Sequence, residues 1–138
     1  MAIEAANYVS YAEAVYLHIC LMKLLGETRY GVFDRALLQS ALARPQQSGV
    51  YEQANLIRQA ATLCFGLIKN HPFIGGNKRT ATALVDEFLF RNHIEVTAAT
   101  AEIIELVLAI EAGTWAIDEA EAWLRAHTRA HSFRVPDA

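Results

Sequence analysis

The stretch HPFIGGNKRTA, residues 71–81, separates two long apolar segments and decides how the chain folds. Residues 52–70, upstream of it, place apolar side chains on one broad helical face, and residues 77–92 do the same downstream. Because Pro72 disfavours the α conformation at the preceding residue, the first helix is expected to end near residue 70. The stretch therefore predicts a tight turn that holds the end of one helix against the start of the next.

Four more helices are predicted from the positions of apolar residues, at about residues 8–25, 34–43, 99–112 and 118–130. Ser10, Asp34 and Asp118 are the expected N-caps of three of them. A short β-like piece is expected at residues 93–97. With no repeat and no linker, residues 1–138 are expected to form one domain, its core at about residues 31–130, and residues 132–138 to fray.

The segment RPQQSGVY, residues 44–51, is predicted to interrupt this helical pattern. Pro45 and Gly49 are poor helix residues, and the segment from Arg44 to Ser48 carries four polar side chains. We expect a surface loop or a short hairpin here.

Composition narrows the class of protein. With 138 residues, 54% hydrophobic and 20% charged, the chain can form one folded domain and is not of the extended disordered class. A net charge of −3 argues against direct nucleic-acid binding and against an anionic membrane as the main partner.

Cysteine use and hydropathy favour a cytoplasmic protein. Cys20 and Cys64 lie in apolar segments and are expected to be free, buried thiols, as in a reducing compartment. The apolar runs are far shorter than the ~20 residues that a membrane helix needs.

Residues 75–79 predict an anion site. The N–H groups at a helix N-terminus lack partners within the helix and carry a partial positive charge. The pair Gly75-Gly76 allows the backbone to approach a ligand closely, and Asn77, Lys78 and Arg79 add an amide and two cations at the same end. Fixed cations are unfavourable at a helix N-terminus unless a negative ligand compensates them, which indicates phosphate.

His71 lies on the other side of the turn and is the candidate general base. A neutral imidazole can take a proton from a hydroxyl near pH 7, so a phosphate cradle beside it fits phosphoryl or nucleotidyl transfer to an alcohol. Taken singly, each of these residues is commonly structural: a cap, a turn or a solvated face. A P-loop is excluded because Lys78 follows Asn77 rather than glycine and the preceding segment is helical.

HPFIGGNKRTA resembles the motif of the Fic/Doc family, which reads HPFx(D/E)GNGRxxR in the Fic branch and has NKR in the Doc branch. Residues 31–47, GVFDRALLQSALARPQQ, and residues 70–96 around the motif are also similar to Doc-type (death-on-curing) toxins. The resemblance implies an all-α fold, a compact helical bundle with a short flap, and transfer from a nucleoside triphosphate to a protein hydroxyl.

The resemblance also implies roles for particular residues. His71 would be catalytic, and Phe73 would anchor the loop. No residue is assigned as a metal ligand. Nucleotide phosphates would be bound by Gly75, Gly76, Asn77, Lys78 and Arg79. The flap that docks the target chain would be Arg44, Pro45, Gln46, Gln47, Ser48 and Gly49.

Three departures from the Fic motif bear on the reaction. Lys78 and Thr82 match the Doc branch, for which the resemblance implies transfer of the terminal phosphate, with AMP transfer as the alternative. Gly75 stands where the family usually has Asp, Glu or Asn to hold Mg²⁺, so any Mg²⁺ would be held mainly by the nucleotide and its waters. A catalytically degenerate binding protein is the third possibility.

The resemblance further implies partners. These are ATP or another nucleoside triphosphate as co-substrate, a Phd-like antitoxin, and a target such as the translation factor elongation factor Tu.

Overall fold

The computed structural model describes residues 6–131, and these form a helical bundle with one small sheet. The helices are α1 (Tyr11–Leu24), α2 (Arg35–Tyr51), α3 (Leu56–Asn70), α4 (Asn77–Arg91), α5 (Thr100–Glu111) and α6 (Ile117–Ala126). The strands β1 (Ile94–Val96) and β2 (Thr128–Ala130) pair antiparallel. The all-α expectation is confirmed, whereas the fraying expected at residues 132–138 lies outside the described residues.

Helix α3 forms the centre of the bundle and packs against α2, α4, α5 and α6. Small residues permit this close packing: Ala60 and Ala61 are fully buried, and a Cβ on Gly66 would lie 2.8 Å from the Arg44 side chain. The largest fully buried side chains around α3 include Leu38, Leu63, Leu67, Leu84, Phe88, Ile110 and Leu124. Because α3 ends at the turn of residues 71–76, the core fixes the position of that turn.

Two of the three predicted caps are confirmed. Ser10 Oγ accepts from the Glu13 N–H at 3.1 Å, and Asp34 Oδ1 accepts from the Leu37 N–H at 3.0 Å. Asp118 is not a cap, because α6 begins one residue before it, and Glu119 accepts instead from the Ala116 N–H at 3.3 Å.

The prediction of a loop or hairpin at residues 44–51 is wrong, since α2 continues to Tyr51. Pro45 removes a helical hydrogen bond, yet it belongs to a stripe of buried residues, Leu38, Ala41, Pro45 and Ser48, that recurs every three or four positions. Ser48 Oγ also donates to the Pro45 carbonyl at 2.9 Å. Burial of this stripe therefore outweighs the local preference for a turn.

The C-terminal helix also differs from the prediction of residues 118–130. Helix α6 ends at Ala126, and residues 128–130 form β2, with Thr128 opposite Val96 and Ala130 opposite Ile94. The Thr97 N–H donates to the His127 carbonyl at 2.7 Å, which extends the pairing beyond the strands. The spacing of apolar residues could not reveal this strand pairing, because β1 lies more than 30 residues away from β2 in the chain.

The two cysteines differ. Cys64 is buried in α3, and burial raises the pKa of its thiol to about 12. Cys20 is exposed, so the expectation that both thiols are buried is wrong for Cys20. On α1 the buried stripe is Ala14, His18 and Met22, and Cys20 lies off it. No helix among residues 6–131 is long and apolar enough to cross a membrane.

His127 ties the end of α6 to the start of α5. Its Nδ1 lies 2.7 Å from the Trp123 carbonyl oxygen, its Nε2 lies 2.7 Å from Glu102 Oε2, and its ring stacks on Trp123 at 4.3 Å. The carbonyl first, and then the carboxylates of Glu102 and Glu105, raise the pKa of His127 above its usual value. The folded state therefore favours the imidazolium form.

This raised pKa predicts a pH-dependent stability. The stabilisation is complete below the unfolded-state pKa of His127 and is lost as pH rises through the raised folded-state pKa. Urea denaturation between about pH 6 and about pH 8 should show a fall in unfolding free energy that His127→Gln reduces. Equal pH slopes for the wild type and His127→Gln would contradict this role.

Candidate active site

The turn after α3 is held rigidly by backbone contacts. His71 adopts a left-handed conformation with φ of +46° and ends α3, as expected from Pro72. The Pro72 carbonyl accepts from the Phe33 N–H at 2.8 Å, and the Ile74 N–H donates to the Gly31 carbonyl at 2.9 Å. The turn is thus paired with the segment before α2.

Asn77 closes the turn on itself. Its Oδ1 accepts from the Phe73 N–H and its Nδ2 donates to the Phe73 carbonyl, both at 2.9 Å. The Phe73 side chain is 3% exposed and belongs to the core. The Asn77 amide therefore acts within the protein, and what it can offer a ligand is its backbone N–H.

His18, which sequence reasoning missed, joins three parts of the site. It is fully buried, and its ring stacks on Phe73 at 4.0 Å. Its Nε2 accepts from the Gly31 N–H at 3.0 Å, so the ring proton lies on Nδ1, which donates to Thr80 Oγ1 at 2.7 Å. Burial lowers the pKa of His18 and keeps it neutral. A histidine on the buried stripe of α1 was the available signal.

A cavity of about 390 Å³ opens beside the turn. The structure brings together around it all of the predicted catalytic and phosphate-binding residues, His71, Gly75, Gly76, Asn77, Lys78 and Arg79. Three charged residues that sequence reasoning did not assign to the site also line it: Glu27, Arg29 and Glu111. Glu27 and Arg29 lie in the α1–α2 loop, residues 25–34, and Glu111 is the last residue of α5. All three lie outside the motif, so the motif could not predict them.

Carboxylates neutralise the two cations of the motif. Lys78 Nζ lies 3.1 Å from Glu111 Oε1, and Arg79 Nη1 lies 3.2 Å from Glu27 Oε1. His71 Nε2 lies 3.9 Å from Glu111 Oε2, so Glu111 faces both the imidazole and the ammonium group. These pairs are partly exposed and therefore weak, which leaves the cations available to an anionic ligand.

The N-terminus of α4 faces the same cavity without a side-chain cap. Its N-cap is Gly76, with φ of +69°, and the first-turn N–H groups have no partner within the helix. A Cβ on Gly76 would lie 2.4 Å from Met22 Sδ, and any side chain there would also be strained by the positive φ. The helix end, Lys78 and Arg79 together can bind an anion such as phosphate.

The residues present do not fit a metal ion held by the protein. Gly75 has no side-chain oxygen, and a Cβ there would lie 2.6 Å from the Arg29 carbonyl oxygen. Among residues 6–131 no group of three or more His, Cys, Asp or Glu is arranged to hold a metal ion. A divalent cation at this site would therefore have to be held mainly by a bound ligand and by water.

The residues assigned to the flap lie away from this cavity. None of the six from Arg44 to Gly49 lines it, and they belong to the C-terminal half of α2. Gln46 and Gln47 are exposed, whereas Pro45 and Ser48 are buried. Their role in docking a target chain stays a prediction.

A second cavity of about 410 Å³ lies between α1, α4, α5 and α6. It shares Arg79 with the first but is lined mainly by apolar side chains such as Leu21, Ile103 and Trp123. It contains neither His71 nor Lys78, whereas the first cavity is lined by both of them and by the uncapped end of α4.

Comparison with known proteins agrees with the geometry. A model of the Fic/DOC family matches residues 8–89, more than half of the chain. Toxin Doc of Mycolicibacterium smegmatis is 42% identical over 69 residues, which cover 49% of this chain and 53% of that protein. The chain thus spans about half the length of this curated relative.

The contacts of His18 predict a large loss of stability in His18→Ala. The change removes a stacked ring and leaves the Gly31 N–H without its acceptor, so urea denaturation should show a loss of about 2–4 kcal/mol. Thr80→Val keeps the ring stacked but leaves the buried His18 Nδ1–H without its acceptor, so a smaller loss of about 1–2 kcal/mol is expected. Equal losses of unfolding free energy in the two variants would contradict the role of the His18 ring in holding these parts of the site together.

The contact between Gly75 and Arg29 predicts that Gly75→Asp is destabilising. The new Cβ meets a backbone oxygen that cannot rotate away, so a loss of about 1–3 kcal/mol is expected in thermal or urea denaturation. Ile74→Asp is the matched control, since it adds the same charge at a residue that is 43% exposed. A Gly75→Asp variant as stable as this control, with new Mg²⁺-dependent nucleotide binding, would contradict the steric argument.

Proposed function

The chain belongs to the Fic/Doc family, and on that premise we propose that it is a Doc-like toxin of a toxin–antitoxin pair. Its reaction in this proposal is transfer of the terminal phosphate of a nucleoside triphosphate to a hydroxyl of a target protein, which inhibits growth. The observation that carries the proposal is the placement of His71, Lys78, Arg79 and the uncapped end of α4 around one cavity.

Phosphate binding follows from the charges around the cavity. The nucleotide phosphates accept from the first-turn N–H groups of α4 and pair with Lys78 and Arg79. In doing so they replace Glu111 and Glu27 as the counter-ions of these side chains. Gly75 and Gly76 let the phosphate oxygens approach the backbone, and Asn77 keeps the turn in shape.

His71 supplies the proton acceptor. Its neutral imidazole takes the proton of the target hydroxyl while the hydroxyl oxygen bonds to the γ-phosphorus. The bond from the γ-phosphorus to the β,γ-bridging oxygen breaks, and its electron pair leaves with the nucleoside diphosphate. Glu111 Oε2 lies 3.9 Å from His71 Nε2 and faces the imidazole in this arrangement.

Lys78 favours phosphate transfer over AMP transfer. Its ammonium group extends from α4 to Glu111 on α5 and so occupies space beside His71 that a glycine would leave open. The name of the relative, Toxin Doc, also supports the Doc branch. The co-substrate in this proposal is ATP or another nucleoside triphosphate, with any Mg²⁺ held mainly by the nucleotide.

The partners follow from the same proposal. A Phd-like antitoxin would restrain the toxin, and a translation factor such as elongation factor Tu would be the target, both in the cytoplasm. The resemblance to Doc-type toxins and the relative named a toxin support this assignment. A short Phd-like reading frame beside the gene for this chain would support it further.

Replacing the proposed base tests the reaction. Purified elongation factor Tu is incubated with the chain and ATP, and its intact mass is measured. We expect added phosphate with the wild type and at least a ~100-fold slower transfer with His71→Ala. His93→Ala is the matched control, because His93 is exposed at the far end of α4 and does not line the cavity.

Other outcomes distinguish the alternatives. Added AMP would indicate a nucleotidyl transferase that tolerates Lys78. Growth inhibition that persists undiminished in His71→Ala would contradict the role of His71 as base and favour a degenerate binding protein, for which Gly75 is the relevant observation.

A further inference from the structure

The α1–α2 loop covers the position at which the chain lacks a carboxylate. The Arg29 carbonyl oxygen lies 2.6 Å from where a Cβ on Gly75 would be, and the Arg29 Cβ lies 3.6 Å from the same point. A side chain at position 75 and the present course of the loop therefore exclude each other. Glycine at 75 allows Arg29 to reach the edge of the cavity.

Arg29 is the third cation that lines the cavity, and it differs from the other two. Lys78 and Arg79 are each paired with a carboxylate, whereas Arg29 makes no hydrogen bond or ion pair within residues 6–131. It is also exposed. A guanidinium group has five N–H donors that match phosphate oxygens, and it stays charged at any physiological pH.

The charges around the cavity favour an anion even before a metal ion is considered. Arg29, Lys78 and Arg79 contribute three positive charges and Glu27 and Glu111 two negative ones, which leaves one positive charge with His71 neutral. When phosphates replace the two carboxylates, all three cations face the ligand. A protein-held divalent cation, which these residues do not fit, is then not needed to neutralise the phosphates.

We propose that Arg29 binds the phosphates of the nucleotide and supplies positive charge in place of a metal ion held at position 75. This inference rests on the proposed function, since it takes the ligand to be a nucleoside triphosphate. Its consequence is that the chain binds ATP without a divalent cation.

Calorimetric titration of the purified chain with ATP, in EDTA and in excess Mg²⁺, tests this inference. The wild type should bind in EDTA, and Arg29→Ala should weaken that binding about tenfold or more, as for loss of a charge-assisted hydrogen bond. Arg29→Lys should fall between the two. Inorganic tripolyphosphate should lose affinity by the same factor, because Arg29 contacts phosphate and not the nucleoside.

Arg125→Ala is the control with the same loss of charge. Arg125 is exposed on α6 and pairs with Glu121, which also binds Arg58 near the N-terminus of α3, at the opposite end of that helix from the cavity. The Arg125→Ala variant should change the affinity for ATP less than about twofold, because its lost charge lies on the surface and is screened by salt. Thermal denaturation should show both alanine variants folded, since Arg29 makes no hydrogen bond or ion pair within residues 6–131 and the partly exposed pair between Arg125 and Glu121 is weak.

Each remaining outcome has a definite meaning. Equal affinities of Arg29→Ala and the wild type in EDTA would overturn the role of Arg29 and leave the proposed reaction standing. If the wild type binds ATP only with Mg²⁺, the claim that Arg29 takes the place of a metal ion is wrong, whereas the proposed reaction stands. Absence of ATP binding by the wild type in both buffers would overturn the nucleotide site itself, and with it the proposed function.

Discussion

The arrangement of the site depends on a single buried imidazole. His18 stacks on Phe73, accepts from the backbone of Gly31 and donates to Thr80, so it fixes the turn, the α1–α2 loop and the first turn of α4 relative to one another. A neutral imidazole suits this place because it offers one donor and one acceptor on opposite sides of a flat apolar ring. An aliphatic residue of similar size could fill the volume but could not satisfy both polar groups.

The second constraint is electrostatic. Cations at the N-terminus of a helix oppose its dipole, and in the absence of a ligand Glu27 and Glu111 offset this cost. Both carboxylates lie outside the motif, on elements that pack around α4. The bundle therefore pairs Lys78 and Arg79 internally, and a ligand of higher negative charge can displace both carboxylates.

Much of this arrangement could be predicted from the sequence because it is encoded locally. Pro72 predicted the end of α3, and the motif from His71 to Arg79 predicted six of the residues that line the cavity. The errors came where distant contacts decide. Burial against α3 keeps Pro45 within a helix, and pairing with β1 converts residues 128–130 into a strand. Arg29 and Glu111 reach the cavity only through tertiary packing, which no spacing in the motif reveals.

Because Glu111 lies at the end of α5, it is the last of the residues lining the cavity to be synthesised. A nascent chain that has emerged only through α4 carries the complete motif but not the carboxylate that faces His71 and Lys78. It also lacks the buried side chains of α5 and α6, such as Ile110 and Leu124, that complete the core around α3. Synthesis of the last third of the chain therefore sets the earliest moment at which the complete cavity can form.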